Sequence, residues 1–225
     1  GWMRFKDLQE NELILSINPE SQEIEWVPFL TKVSYPYKGK MIRFNSRSFD
    51  LLVTPDHRMY IKTMVHVGRR RWEKAHIESA SKIIERGEFR IPRVGLWQGK
   101  EPRHIVVGQL KIKTETYCKL MGYFLSEGCA HKRKDNGKIQ ATISQCGHGM
   151  QKVVDDLREL PVKQWQGKYN LQLRNPDIEE YLFQFGKSHE KFVPSEIKEL
   201  SPKFIRMFLD AYRFGDGFER IIVRK

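Results

Sequence analysis

The sequence predicts an α+β protein of two modules. An all-β module spans residues 1–95, a linker spans 96–108, and an αββαββα module spans 109–225. Three observations carry this reading. No helical periodicity is sustained before residue 72, where short apolar runs alternate with turn residues. In the second half, segments of helical period alternate with pairs of strand-like runs. Two stretches there, Leu120-Met-Gly-Tyr-Phe-Leu-Ser-Glu-Gly128 and Leu209-Asp-Ala-Tyr-Arg-Phe-Gly-Asp-Gly217, repeat one nine-residue pattern.

In the first module, Asn18-Pro-Glu-Ser21 marks a turn between strands over 13–17 and 23–28, and further strands are expected over 28–33, 41–44 and 49–54. The run Phe49-Asp-Leu-Leu-Val-Thr-Pro-Asp-His57 places Thr54 and His57 on either side of a Pro-Asp turn, which can aim a hydroxyl and an imidazole into one pocket. Such an imidazole can polarise a peptide bond or protonate its leaving amine. Gly68-Arg-Arg-Arg-Trp72 sets Arg69, Arg70 and Arg71 beside an aromatic, as either a phosphate grip or a solvated loop.

In the second module a helix is expected over 111–127 with Thr114 as N-cap. Strands over 128–132 and 138–145 follow, joined by an Asn136-Gly137 turn. His131, Lys132, Arg133 and Lys134 make that hairpin basic, suited to lying in a DNA major groove or to keeping an edge strand soluble. A helix over 148–160 comes next. A hairpin over 164–173 then has Trp165, Tyr169, Leu171 and Leu173 as its apolar members. Asn175-Pro caps another helix, and Ser201-Pro opens the last.

The repeated pattern carries the chemistry. Gly122 and Ser126, and likewise Ala211 and Gly215, are small residues at i, i+4 spacing, placing them on one helical face where a second helix can approach closely. Glu127 and Asp216 follow as the last helical residues, before glycines expected to take left-handed C′ caps. Side by side, two such helix ends bring two carboxylates onto partial negative charge, an arrangement that a divalent cation relieves. The three cysteines have no CxxC spacing, and no histidine pair has ligand spacing, so neither disulfides nor zinc are expected.

Forty basic against 28 acidic residues give a net charge of +12, which favours polyanions. No apolar run approaches the ~18 residues of a membrane span, and the N-terminus lacks a signal-peptide pattern. A soluble, intracellular protein is expected, with no membrane partner.

The twin motif resembles the signature of the LAGLIDADG homing endonucleases. It departs from that signature at Asp210, Tyr212 and Arg213, which are more polar than the family's usual residues. The stretches Gly1-Trp-Met-Arg-Phe-Lys-Asp-Leu8, Leu15-Ser-Ile-Asn-Pro-Glu20, the Thr54/His57 turn and Trp72-Glu-Lys-Ala-His-Ile-Glu-Ser-Ala80 resemble the Hint-type splicing domain of inteins. Together the resemblances imply an intein-derived endonuclease that cuts double-stranded DNA, in a cytoplasmic, prokaryote or phage context. Glu127 and Asp216 would be catalytic and hold Mg²⁺ or Mn²⁺, with Lys138 as a basic helper. A monomer of pseudo-two-fold symmetry is implied, with Thr54 and His57 as splicing-type residues. The open alternatives are a splicing element with a degenerate nuclease and a non-cleaving DNA- or RNA-binding protein. An intein has a Cys or Ser just before the Gly-Trp stretch and a closing His-Asn pair. Neither lies within the 225 residues, so an incomplete splicing module and a truncated second endonuclease half are expected.

Overall fold

A computed structural model describes residues 3–146 and 148–216. The chain is α+β and divides into two compact units, Gly1–Trp97 and Gln98–Lys225.

The first unit is built on antiparallel ladders. Strand β1 (Leu13–Ile17) pairs with β2 (Ile24–Pro28), and β3 (Ile42–Asn45) with β4 (Asp50–Val53). The long strand β5 (Arg58–Val67) is the spine. It takes β6 (Arg69–Trp72), β7 (His76–Ser79) and β8 (Phe89–Arg90) along successive parts of its length. The short helix α1 (Ala80–Arg86) follows β7. Ile61, Met59, Phe44, Ala80 and Ile83 form the buried cluster. The strand expected over 28–33 does not form beyond Pro28, and Leu30 is fully exposed. Its apolar residues alternate, but no neighbouring strand meets them.

The second unit begins earlier than the expected linker allows. Residues 98–108 belong to it, and β9 (His104–Val107) pairs with β10 (Leu110–Lys113) across Gly108, whose φ of +57° suits glycine. The first helix therefore starts at Thr114 rather than residue 111, as α2 (Thr114–Glu127). Thr114 is its first residue, not its cap, and its hydroxyl donates to the Pro102 carbonyl.

Strands β11 (Gly128–Lys132) and β12 (Ile139–Ser144) come next, then α3 (His148–Leu157). They are followed by β13 (Lys163–Gln166), β14 (Asn170–Arg174) and α4 (Pro176–Phe183), with Asn175 Oδ1 accepting from the Asp177 and Ile178 amides. The short α5 (Ser195–Lys198) leads to α6 (Pro202–Asp216). The four strands form one antiparallel sheet ordered β11-β12-β14-β13. Ala141, Ile143, Leu171 and Leu173 point from it into the core, where Tyr117, Leu120, Met121, Phe124, Leu157, Leu182 and Phe208 also lie. Helix α2 is buried along nearly its whole length, with Glu115 its exposed residue. A helix so enclosed is the centre of its unit.

Candidate active site and nucleic-acid face

Helices α2 and α6 pack along their small-residue faces. A Cβ added to Gly122 would lie 2.6 Å from Ala211 Cβ, 2.6 Å from the Phe208 carbonyl and 2.8 Å from the Tyr212 amide. One backbone therefore rests directly on the other, which larger side chains prevent. One turn on, a Cβ on Gly215 would collide with Ser126 Oγ and sit 2.8 Å from Glu127 Cγ. Ser126 turns its hydroxyl back onto its own helix, donating to the Gly122 carbonyl at 2.9 Å, so that hydroxyl is paired within the close contact. The residues that depart from the family pattern face outward. Asp210 and Arg213 pair at 3.7 Å and Tyr212 is exposed, while Phe204, Phe208 and Ala211 face the core.

Glu127 ends α2 and Asp216 ends α6. Gly128 does not take the left-handed cap. Its φ of −88° and ψ of 157° are extended, because the chain passes straight from α2 into β11. Glycine is needed there for room, since a Cβ would strike the Phe124 side chain and backbone. Gly217, the corresponding residue after α6, lies outside the described residues.

In place of the expected glycine cap, Lys191 closes the end of α2. From the loop after α4, its Nζ donates to the carbonyls of Phe124 (2.9 Å), Leu125 (3.2 Å) and Gly128 (2.7 Å). The Phe124 carbonyl also accepts the Gly128 amide, the last backbone bond of α2, so Lys191 is a second donor there and a side-chain donor at the helix end. Burial lowers the Lys191 pKa, and Cys129, Asp216 and Glu127 oppose that shift. The ammonium thus lies in the field of both acids and offsets their repulsion. Asp216, Ser126, Lys191, Phe192 and Tyr212 line a cavity of about 280 Å³ at this end of the helix pair.

The structure does not bring Lys138 to the acids. Gly128 pairs with Ile143 and Lys132 with Ile139, so the hairpin runs away from Glu127 and carries Lys138 to its far tip. Among the described residues, Lys191 is a basic group that lies in the field of both carboxylates.

The sheet's outer face is set by register. With Ala141, Ile143, Leu171 and Leu173 turned inward, the alternate positions turn out. They are Cys129 and His131 on β11, Gln140, Thr142 and Ser144 on β12, Asn170, Gln172 and Arg174 on β14, and Lys163 and Trp165 on β13. None of these side chains is acidic, and amides, hydroxyls and cations dominate. Such groups donate and accept at base edges and neutralise phosphate.

Of the predicted hairpin contacts, His131 shares this face. Lys132 does not. Two residues on from inward-facing Ala130, its Nζ sits 5.6 Å from the centre of the Phe183 ring on α4. Arg133 pairs with Asp135 at 2.7 Å, and Lys134 is exposed in the turn. Arg69, Arg70 and Arg71 are exposed on β6 of the first unit, and one face of Trp72 is covered by the Arg90 guanidinium at 4.0 Å.

Thr54 and His57 flank a tight turn in which the His57 amide donates to the Thr54 carbonyl at 3.0 Å. The turn also receives the first amides of α1, Ala80 on the His57 carbonyl and Ser81 on that of Pro55. His57, Tyr60, Leu15 and Ile91–Gly95 line a groove of about 430 Å³. Thr54 is half-buried and is not part of that lining.

Among the described residues no three His, Cys, Asp or Glu side chains converge, and no helix is long and apolar enough to cross a membrane. No family model matches the chain, and no curated protein matches it.

Proposed function

We propose that the chain is a LAGLIDADG-type homing endonuclease of intein origin that cleaves double-stranded DNA. The observation that carries this reading is the α2/α6 pair, packed backbone to backbone and ending on Glu127 and Asp216 beside a sheet face without carboxylates. The donor set fits a hard divalent cation, Mg²⁺ or Mn²⁺. Two carboxylates with phosphate and water as further ligands is the usual way Mg²⁺ is held against a phosphodiester. When bound, the ion supplies Lewis acidity and an activated water. The protein's own part is to fix the carboxylates through the glycine contacts. Lys191 steadies the end of α2 and balances the local negative charge, while the outer face of the sheet holds and reads the duplex. The two motif copies within one chain make a monomer of pseudo-two-fold symmetry, suited to a non-palindromic target.

The test is cleavage of a plasmid library carrying randomised target sites in Mg²⁺, with Glu127→Gln, Asp216→Asn and the double variant compared with the parent. Cleavage falls to background in each variant while retardation of duplex DNA persists. Equal cleavage by the double variant overturns the assignment.

A second reading, a protein-splicing element, draws on the Thr54–His57 turn and its groove. Its test is the full chain fused between a Cys-preceded and a His-Asn-followed flank, where spliced product must appear and His57→Ala must remove it.

A further inference from the structure

Strand β13 inverts the usual pattern of a half-buried strand. Gln164 turns inward opposite Leu173, where its Nε2 donates to the Leu157 carbonyl at 2.7 Å. Trp165 turns outward opposite Gln172 and is 57% exposed. The parity is fixed from below, because Leu171 and Leu173 must face the core. The strand therefore hides a glutamine and shows a tryptophan, so core packing does not account for the indole.

Its neighbours are chemically selective. Lys163 stands directly opposite Arg174 on the same outer face. Directly opposed side chains lie within roughly 5 Å at Cβ. Arg174 Nη2 donates to Gln172 Oε1 at 2.8 Å, which holds the guanidinium beside the indole. Trp165, Gln172 and Arg174 line a cleft of about 430 Å³. Strand β13 is an edge of the sheet, so this cleft is approached from the side as well as from above. The charge of Arg174 reaches Glu179, but Glu179 belongs to α4 and not to this face.

We propose that this cleft binds one unstacked nucleotide of single-stranded DNA, its base against Trp165 and its phosphates between Lys163 and Arg174. An aromatic plane with flanking cations is the chemistry by which single strands are held without regard to sequence. A base inside a duplex presents its edges and not its face, so an intact duplex does not occupy the indole. The site rests on the nucleic-acid reading of the sheet and adds to it a place for an unpaired nucleotide at the sheet's margin.

The experiment measures binding of a twelve-residue oligothymidylate, a twelve-residue oligouridylate and a random-sequence duplex to the full chain at fixed low salt. Affinity is followed by anisotropy, and tryptophan emission is recorded in parallel. Trp165 is the sole tryptophan of the second unit. Trp165→Ala weakens oligothymidylate binding roughly ten- to hundred-fold, the span of one lost base–aromatic stack, and weakens duplex binding far less, because a paired base offers the indole no face. Trp165→Phe retains most of the affinity but loses the emission quenching seen with the parent. The proposal is overturned if Trp165→Ala binds oligothymidylate like the parent, if the parent binds duplex but no single strand, or if the parent prefers the uridylate. A parent that binds oligothymidylate through Trp165 yet never cuts duplex refutes the nuclease reading alone. A parent that cuts duplex while Trp165→Ala binds oligothymidylate unchanged refutes this site alone.

Discussion

In the first unit the buried cluster is five side chains on and around β5, and Leu13, Leu15, Trp26 and Leu52 stand more than half exposed. In the second, a continuous core runs from Val107 to Ala211 around an enclosed helix. The candidate groups follow the same division. Glu127 is anchored on a helix whose backbone touches another helix, whereas His57 is exposed in a turn over a thin core. On the proposed reading Glu127 and Asp216 share one ion, which needs positions fixed to a fraction of an ångström. The second unit has the packing to supply this. In the first, an exposed side chain on a small cluster is held by local turn geometry alone.

The strongest way to break this comparison is to overpack the helix contact. Gly122→Leu places four carbons where even a Cβ meets Ala211 and the Phe208 carbonyl at 2.6 Å. Both obstacles sit on or beside backbone, so little can yield. Overpacking typically costs ~1–3 kcal/mol, and here the upper end or more is expected. Thermal stability of the second unit and Mg²⁺-dependent cleavage fall together, while Arg206→Ala on the exposed side of α6 changes neither. A Gly122→Leu protein that melts and cuts like the parent removes the helix pair as the basis of the site.

The counterpart in the first unit is Ile61→Ala. Ile61 is fully buried on β5, and losing such a side chain costs about 2–5 kcal/mol. Hydrogen exchange followed by peptide-resolved mass spectrometry will show lost protection over β5, β7 and α1, with α2 and α6 unaffected. Equal loss in both units makes them one cooperative body and dissolves the distinction drawn above.

How much of this was legible follows from what each feature depends on. The small-residue stripe and its acids were readable because a helical face is a matter of spacing along the chain. Lys191 was not, since its carbonyl partners at the end of α2 lie more than 60 residues away in a loop without periodicity. Trp165 is one of the apolar members expected in the 164–173 hairpin, but the face it takes was not legible, for a different reason. Lining it up with Leu171 and Leu173 assumes that equal parity means one face, but the pairing Gln166↔Leu171 closes an even-numbered loop and reverses parity across the hairpin. Lys119, which looks like a neutral outward position on α2, proves to bond Asp156 on α3 at 2.7 Å. Ion pairs between helices leave no periodic trace.

A second set of variants sharpens the division of charge. If the chain neutralises six or more phosphates, duplex affinity falls roughly 10³-fold between ~50 and ~200 mM salt. The sheet face predicts where those contacts lie. Lys163→Ala with Arg174→Ala should lower the slope of log affinity against log salt by about 2, close to 0.9 per phosphate contact. Arg69, Arg70 and Arg71 changed together to alanine report the first unit's share by the same measurement. A slope that the sheet variants leave unchanged takes β13 and β14 out of the interface.

The smallest expected effect concerns acid. Each unit has a carboxylate held below its ordinary range, but in different settings. Asp50 is half exposed and paired with an Arg43 that is 63% exposed. The Arg43 hydrogen bond lowers its pKa, yet solvent screening leaves such a pair little influence on stability. Asp156 is 17% exposed and receives Lys119 Nζ at 2.7 Å, Tyr123 Oη at 2.6 Å and Lys152 Nζ at 2.9 Å, tying α3 to α2. Burial pushes its pKa up, but the hydrogen bonds from Lys119, Tyr123 and Lys152 outweigh that and bring it to about 2. An unfolded aspartate titrates near ~3.9. The folded value is therefore the lower one, so the contribution is fully present above about pH 4. It is lost as pH falls through about 2, because the unfolded chain takes up the proton first. The amount is at most about 3 kcal/mol. Melting of the second unit followed from pH 6 to pH 2 should steepen downward below pH 4. Asp156→Asn should start lower at pH 6 and lose less on acidification, so the two curves converge. Asp50→Asn should leave the first unit's curve parallel to the parent's. Curves for Asp156→Asn and parent that stay parallel across this range show that the cluster does not tie α2 to α3 energetically. The support for Glu127 would then come from the glycine contacts and Lys191 alone.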